Sequence, residues 1–347
     1  MRAKAKKILV VGGAGYVGCV LVEELLKRGY AVKVFDRLIY GDQGLREMRD
    51  RVEVVSGDMR AMDQSLFEGV AAVINLGGIS NDPTAEFNPK ANEDINTLGT
   101  DIVARAAKER GIRRFIFAST CSIYDLGFYA EDFLRDEESE VRPRAAYAVS
   151  NYNAERILLD MADDKFSPVL LRQGTVYGWS PRMRYDLVVN TFVRDALCKG
   201  FLTVHCGGEM WRPLVDVTDL ARVYVACIDA PEQKVAGRTF NVVGKNYRIL
   251  ELAHWVREAL RPLRKVEIEV DYSNQKTRSY RVSGQRIETE LGVKSIVPVK
   301  ESVEHIVRML EQNGGPMETF HPRYYNIEWM TLLSTMEKTI KMIGGVF

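Results

Sequence analysis

An α/β fold built on a doubly wound parallel sheet is predicted by three observations. Short apolar runs at 8–11, 31–35, 52–56, 71–76, 113–118 and 168–172 alternate with helix-period patterns such as 20–28, 92–110 and 147–161, the arrangement that successive strand–helix–strand units produce. The first run turns directly into the first helix through Gly12, Gly15 and Gly18. After about residue 177 the rhythm loosens into a helix near 187–198, short strands at 201–205, 238–243 and 265–271, and helices near 249–260 and 298–312. The expectation is a Rossmann-type sheet over 1–177 and a smaller, mainly substrate-binding lobe over 178–320, with returns to the large sheet near 214–244. At 347 residues and 46% hydrophobic, the chain has material for both cores.

The glycine turn carries the first chemical signal. Three spaced glycines between a strand and a helix let the main chain approach a pyrophosphate, whose charge the free amides of the first helical turn (Tyr16, Val17) and the helix dipole then stabilise. A nicotinamide or flavin dinucleotide site is therefore expected at Gly12, Gly15, Tyr16 and Val17. The second apolar run ends on Asp36, about 20 residues further on, where a carboxylate accepts the adenine-ribose hydroxyls. A carboxylate there repels a 2′-phosphate, so NAD is expected over NADP. Arg37 beside it is the counter-argument, because a guanidinium pairs with that phosphate.

Further along, 118–124 reads Ala-Ser-Thr-Cys-Ser-Ile-Tyr at the C-terminal end of the fifth run, the sheet edge where ligands bind in open parallel sheets. Downstream, Tyr147 and Asn151 stand at i and i+4 on one face of a helix. A phenol and a hydroxyl converging on one carbinol can pass a proton while hydride leaves for a nicotinamide. The stretch 180–190 precedes and opens a helix and carries Arg182, Arg184 and Asn190, groups suited to a diphosphate or a charged sugar.

Charge and cysteine usage exclude other classes. The formal net charge is +1, which gives no broad footprint for nucleic acid or an anionic membrane. The apolar run after the basic lead at 1–7 is too short for a signal-peptide core or a membrane span. Five scattered cysteines show neither a disulfide framework nor metal-ligand spacing, so no metal is expected and a reducing cytoplasm fits. Residues 321–347 are too apolar to be a free tail; they are expected to cover the substrate lobe or to contact a second subunit, a homodimer being the expected assembly.

Taken with Gly57-Asp58-Met59, Asn75-Leu76-Gly77-Gly78, Asn96-Thr97-Leu98-Gly99-Thr100, Arg172 to Gly178 and Trp211 to Ala221, these motifs span most of the chain. It resembles the extended short-chain dehydrogenase/reductases of the NAD-dependent epimerase/dehydratase family, which act on nucleotide-activated sugars. The resemblance implies that Asp58 and Met59 flank the adenine, that Leu76, Gly77 and Asn96 line the cofactor, and that Thr120 is the hydroxyl partner of Tyr147, the acid/base. It places Ser80, Ser122, Arg184, Asn190, Arg212 and Arg278 on the side of a nucleotide-diphosphate sugar, with Arg212 and Arg278 on the diphosphate.

Two departures qualify what the resemblance implies. The family's lysine four residues after the tyrosine is Asn151 here. A unit charge at about 4 Å and an effective dielectric of about 20 is worth about 4 kcal/mol, roughly three pKa units, so Tyr147 is expected to lie closer to the free phenol. The Asp-Glu or Ser-Glu pair that sugar dehydratases carry after the threonine is Cys121-Ser122 here, which disfavours loss of water. Cys121 also stands one residue too early for the cysteine of GDP-fucose-synthase-type enzymes and reads as a packed thiol. The expected function is an NAD-dependent nucleotide-diphosphate-sugar epimerase acting through transient oxidation at C4. The alternatives are a C4 oxidoreductase, a dehydratase that recruits its acid elsewhere, or a weakened dinucleotide-binding sensor or scaffold, which Asn151 favours and Thr120, Tyr147 and Arg212 oppose.

Overall fold

The computed structural model describes residues 5–125, 133–273 and 278–343. Strands β1 (Lys7–Val11), β2 (Ala31–Asp36), β3 (Val52–Ser56), β4 (Val70–Asn75) and β5 (Arg114–Thr120) follow the expected apolar runs. The fifth runs two residues further than its apolar pattern, so Ser119 and Thr120 lie within the strand. After the two-residue β6 (Leu134–Arg135) come β7 (Ser167–Gln173), β8 (Thr175–Tyr177), β9 (Phe201–Val204), β10 (Trp211–Asp216), β11 (Arg238–Val242), β12 (Lys245–Arg248), β13 (Glu267–Val270) and β14 (Arg281–Val282). The large sheet has seven strands in the order β11-β7-β5-β4-β1-β2-β3, and every pairing in it is parallel. The order reverses at β1, which places a crevice beyond its C-terminal end.

The pleat sorts the side chains of β1 into two cores. Ile8 and Val10 face a layer made by Leu21, Val22 and Leu25 of the helix Tyr16–Lys27 and by Leu220 and Tyr224 of the helix Val217–Asp229. Leu9 and Val11 face the other layer, with Val103 and Ala107 of the helix Gly99–Glu109 and Ala154 and Leu158 of the helix Ala146–Asp160. The helical stretch expected at 92–110 begins at Pro89, where Asn88 accepts the amide of Ala91 at 3.0 Å and proline fills the first turn. It passes through a π-turn at Asp94–Leu98, a feature frequent at functional sites.

The lobe packs a third core. Helices Val188–Lys199, Ile249–Leu260 and Val299–Gln312 bury Val193, Leu252, Val256 and Ile306 against Leu202 and Val204 of β9. A small sheet β12-β10-β8 joins lobe to large domain; it was not anticipated, because β10 and β12 carry Trp211, Arg212, Pro213, Asn246 and Arg248 rather than an apolar run. The C-terminal segment lies on the lobe. Tyr185 N–H donates to the Tyr324 carbonyl at 3.0 Å, Arg194 donates to the Tyr325 hydroxyl at 2.6 Å, and the helix Asn326–Ile343 follows. Among the described residues no helix is long and apolar enough to cross a membrane.

Beneath the sheet edge runs a buried polar chain. Arg172 of β7 grips Glu155 through Nε and Nη2 (3.0 and 2.7 Å) and donates to the Tyr124 hydroxyl at 2.7 Å. That hydroxyl donates to Asn241 of β11 at 2.8 Å, and Ser119 donates to Glu155. Arginine and glutamate are both buried, so each depends on the other for its charge. Replacing Glu155 with alanine leaves Arg172 buried without its counter-ion and is expected to cost about 3–5 kcal/mol, read by urea unfolding. A loss below about 1 kcal/mol would show that Arg172 turns to water.

Candidate functional site

The three glycines of the first turn do different work. Gly12 has φ +78°, and a Cβ there would lie 2.7 Å from the Gly77 nitrogen and 2.8 Å from the Leu76 carbonyl carbon. One on Gly18 would lie 2.5 Å from the Gly12 oxygen. Gly12 lets the turn after β1 pack against the turn after β4, and Gly18 lets the first helix pack against the glycine turn itself. A Cβ on Gly15 would meet only the Gly12 oxygen, at 3.2 Å. Gly15 occupies the N-cap of the helix Tyr16–Lys27, which has no side-chain cap and no acidic residue in its first turn. Its free amides and positive dipole end therefore face an open cradle, the shape and polarity a dinucleotide pyrophosphate requires. The residues present fit NAD.

Around this cradle the expected cofactor residues are placed as follows. Asp36 accepts the amides of Ala14 (3.0 Å) and Leu38 (2.8 Å); burial raises its carboxyl, and the two amides pull it back. Arg37 turns away toward Asp58, at 3.7 Å. Arg60 grips the same Asp58 with Nε and Nη2 (2.9 and 2.6 Å), and chiefly this bond lowers the carboxyl to about 2. Met59 is buried and fills the space beside Gly77 and Gly99. Leu76 N–H donates to the Val11 carbonyl at 2.9 Å, and Gly77 N–H to Asn75 Oδ1 at 3.1 Å. Asn96, in the π-turn, accepts the Ile79 amide at 2.7 Å and donates to the Ile79 carbonyl at 3.0 Å, holding the loop after β4 in shape.

Tyr16 packs by its ring. It is buried, its hydroxyl donates to the Gly178 carbonyl at 2.7 Å, and Asn190 donates to that hydroxyl at 3.1 Å. Asn190 also accepts the Gly178 amide (3.1 Å) and donates to the Arg184 carbonyl (2.9 Å). With all its polar atoms engaged, Asn190 knits the first helix to the loop before the helix Val188–Lys199.

The chemical end of the cleft lies beyond β5. Thr120 closes the strand and accepts the Ser122 amide at 3.1 Å, and its hydroxyl lies near enough to the Tyr147 phenol to lower it. Burial pushes that phenol up to about 12, while the Thr120 hydroxyl and the Arg184 guanidinium pull it down and the Asp82 carboxylate pushes it up. Asn151 is buried, and its amide donates to the main-chain carbonyl of Tyr147 at 2.8 Å; it is tied to its own helix. Cys121 is buried with its thiol on the Arg172 carbonyl at 3.1 Å. Ser122 hydrogen-bonds Tyr280. Arg184 holds Asp186 through Nε and Nη2, both at 2.9 Å, and donates to Ser80 at 3.1 Å. Arg212 donates to the carbonyls of Trp211 and Arg278.

Two carboxylates reach this region without having been anticipated. Arg278 pairs with Asp82 at 2.6 Å and with Asp125 at 3.3 Å. Asp82 Oδ1 and Arg278 Nη1 are buried without a hydrogen-bond partner among the described residues. A signal for Asp82 existed: Asn81 caps the next helix by accepting the Thr84 amide at 3.1 Å, with Pro83 in its first turn.

The profile of the NAD dependent epimerase/dehydratase family matches residues 8–243, and the chain belongs to that family. It is 25% identical over 313 residues to a putative UDP-glucose 4-epimerase of Methanocaldococcus jannaschii, covering 88% of this chain and 99% of that one. It is 29% identical over 248 residues to the mouse decarboxylating sterol-4-alpha-carboxylate 3-dehydrogenase, covering 69% of this chain but only 64% of that one. Among solved structures, the UDP-glucose 4-epimerase of Thermotoga maritima superposes with a TM-score of 0.78 at 21% identity, covering 88% of this chain and 99% of that one. The UDP-glucuronic acid 4-epimerase of Bacillus cereus, in complex with UDP-glucuronic acid and NAD, gives 0.76 at 22% identity over the same shares. At those identities the likeness establishes the fold.

The division of labour among the glycines predicts separable losses. Gly12→Ala places a side chain in a left-handed conformation, about 1–3 kcal/mol of strain before any overlap, and is expected to lower the unfolding midpoint sharply. Gly15→Ala changes stability by less than about 1 kcal/mol but weakens NADH at least about tenfold. Calorimetry on both variants checks this; equal destabilisation by the two would refute the assignment.

Proposed function

We propose that the chain is an NAD-dependent epimerase of nucleotide-diphosphate sugars that works through transient oxidation at C4. The observation that carries this reading is the convergence of the Thr120 hydroxyl and the Tyr147 phenol at the C-terminal end of β5, in a sheet whose open helix N-terminus and Asp36 suit a dinucleotide. NAD, when bound, accepts the hydride and returns it. Tyr147, beside Thr120, takes the proton of the C4 hydroxyl and gives it back once the keto-sugar has presented its other face. Arg212 and Arg278 hold the diphosphate. Asp36 selects NAD, and the Asp58 carboxylate 3.7 Å from Arg37 offsets that residue's charge.

A second reading rests on Asp82. Its carboxylate is close enough to the phenol to raise it, so an acid for elimination is available from outside the 120–122 segment. The ion pair with Arg278 argues against this role, because it occupies the carboxylate. Incubation with a panel of UDP-, dTDP- and GDP-hexoses decides between the two. Epimerisation gives products isobaric with their substrates, whereas a product lighter by one water would replace the reading with dehydration.

The pH dependence follows from the raised phenol. A base acts in its deprotonated form, so with the phenol near 12 before ligand binding turnover is expected to keep rising into alkaline pH. Asn151→Lys brings an ammonium to the same helix face and should move the rising limb at least about one unit lower, since a nearby charge stabilises the phenolate. Tyr147→Phe should abolish turnover and leave NADH binding intact. A limb unmoved by Asn151→Lys in a variant with native thermal stability would mean that another cation tunes the tyrosine.

A further inference from the structure

We propose that Asn326 and Trp329 are positioning residues that strap the dinucleotide cleft, so that cofactor enters and leaves only when the start of the C-terminal helix lets go. The inference rests on the dinucleotide reading of the cleft and goes beyond it. Strands β2 and β4 flank β1, so the loops that leave them form the two walls on either side of the glycine turn. Neighbouring strands lie about 4.8 Å apart, which sets those walls roughly 10 Å apart at the sheet edge. Trp329 donates its indole N–H to the Ile39 carbonyl, in the wall after β2, at 2.8 Å. Asn326 donates to the Ser80 hydroxyl, in the wall after β4, at 3.1 Å. Residues three apart on a helix share a face, so one turn of helix bonds both walls and crosses the mouth between them.

Asn326 is held on every polar atom. Its Oδ1 accepts from Arg182 at 2.8 Å, and its main-chain N–H donates to Asp186 at 3.3 Å. Arg182 is buried with its guanidinium 3.9 Å over the Tyr40 ring, and Asp186 carries the Arg184 pair that also reaches Ser80. The same few groups therefore tie the C-terminal segment to both walls and to Arg184, one of the cations the Tyr147 phenol senses. Beyond this turn the grip is thin. Asn326 is the only buried residue of its helix, and Leu332, Met336 and Ile340 are each more than 40% exposed. Past Tyr325, which is buried in the core of the lobe, the helix is held chiefly by a handful of polar bonds and can open without unfolding the lobe. An epimerase regenerates its NAD in every cycle and gains from keeping it, which makes a closed strap consistent with that chemistry.

The test is stopped-flow binding of NADH to the full chain, followed by chase with excess NAD. Asn326→Ala and Trp329→Phe, the latter keeping an aromatic ring but losing the five-membered ring with its N–H, should each speed both association and dissociation at least fivefold, with the equilibrium affinity changed far less. A merely structural role would weaken affinity without faster association. If a variant loses stability, hydrogen exchange at the loops 37–41 and 76–81 in Trp329→Phe provides the second reading, and faster exchange there is expected. Wild-type rates in both variants would overturn the strap alone. Failure of the wild-type chain to bind NADH would overturn the dinucleotide reading, and the strap with it.

Discussion

The architecture of the site depends on how closely the turn after β1 approaches the turn after β4. Any side chain at residue 12 would overlap the main chain of Leu76 and Gly77, so glycine there sets the distance between the two loops that leave the sheet at its switch point. That contact fixes Gly77 beside Met59 and continues into Ile79, which Asn96 clamps from the π-turn. Asn96 in turn donates to Asn92 at 3.0 Å, and Asn92 donates to Ser150 at 2.9 Å. The helix that presents Tyr147 is thereby referenced, through a short run of buried amides, to the glycine turn itself. Groups meant to hold a cofactor and groups meant to act on a substrate share one mechanical frame, as catalysis by positioning demands.

A second frame lies below the first and concerns charge. The Glu155–Arg172 pair and its bonds to Ser119, Tyr124 and Asn241 join β5, β7 and β11 to the helix of Tyr147. A buried ion pair is rarely a net source of stability against an apolar alternative. Its value here is registry. It couples β5, where Thr120 ends, to the helix where Tyr147 begins, and so fixes the approach of the two hydroxyls on which the proposed chemistry depends.

Much of this was legible in the sequence because its signals are local. Strands β1 to β5 and β7 declare themselves as apolar runs, and the glycine turn and Asp36 carry their meaning in spacing alone. The small sheet β8-β10-β12 was not legible, because strands lined with Trp211, Arg212 and Asn246 owe their pairing to neighbours far along the chain. The same holds for Asp82, Asp125 and Asn326. None carries a spacing signal of its own, Asp125 and Asn326 standing among aromatic and apolar neighbours, and each acquires its place through partners about 100 to 250 residues away or across the lobe. Asn190 shows the converse: a residue picked for substrate from its setting proves to be saturated by the first helix and its own loop.

The lysine position raises the sharper physical question. Asn151 spends its amide on the Tyr147 carbonyl, so it supplies the phenol with neither a charge nor a bond. The charges that the phenol does sense come as compensated pairs: Arg184 is neutralised by Asp186, and Asp82 by Arg278. Pairs act at a distance as dipoles, whose fields fall off faster than those of single charges, and so desolvation dominates and raises the phenol. The groups around Tyr147 therefore keep it protonated at neutral pH, as a hydrogen-bond donor. NAD would supply a positive charge to the cleft, and an uncompensated unit charge at about 4 Å and an effective dielectric of about 20 is worth about 4 kcal/mol, comparable to the cost that burial imposes. Under the proposed function, a charge of that size would stand in for the ammonium that Asn151 does not supply.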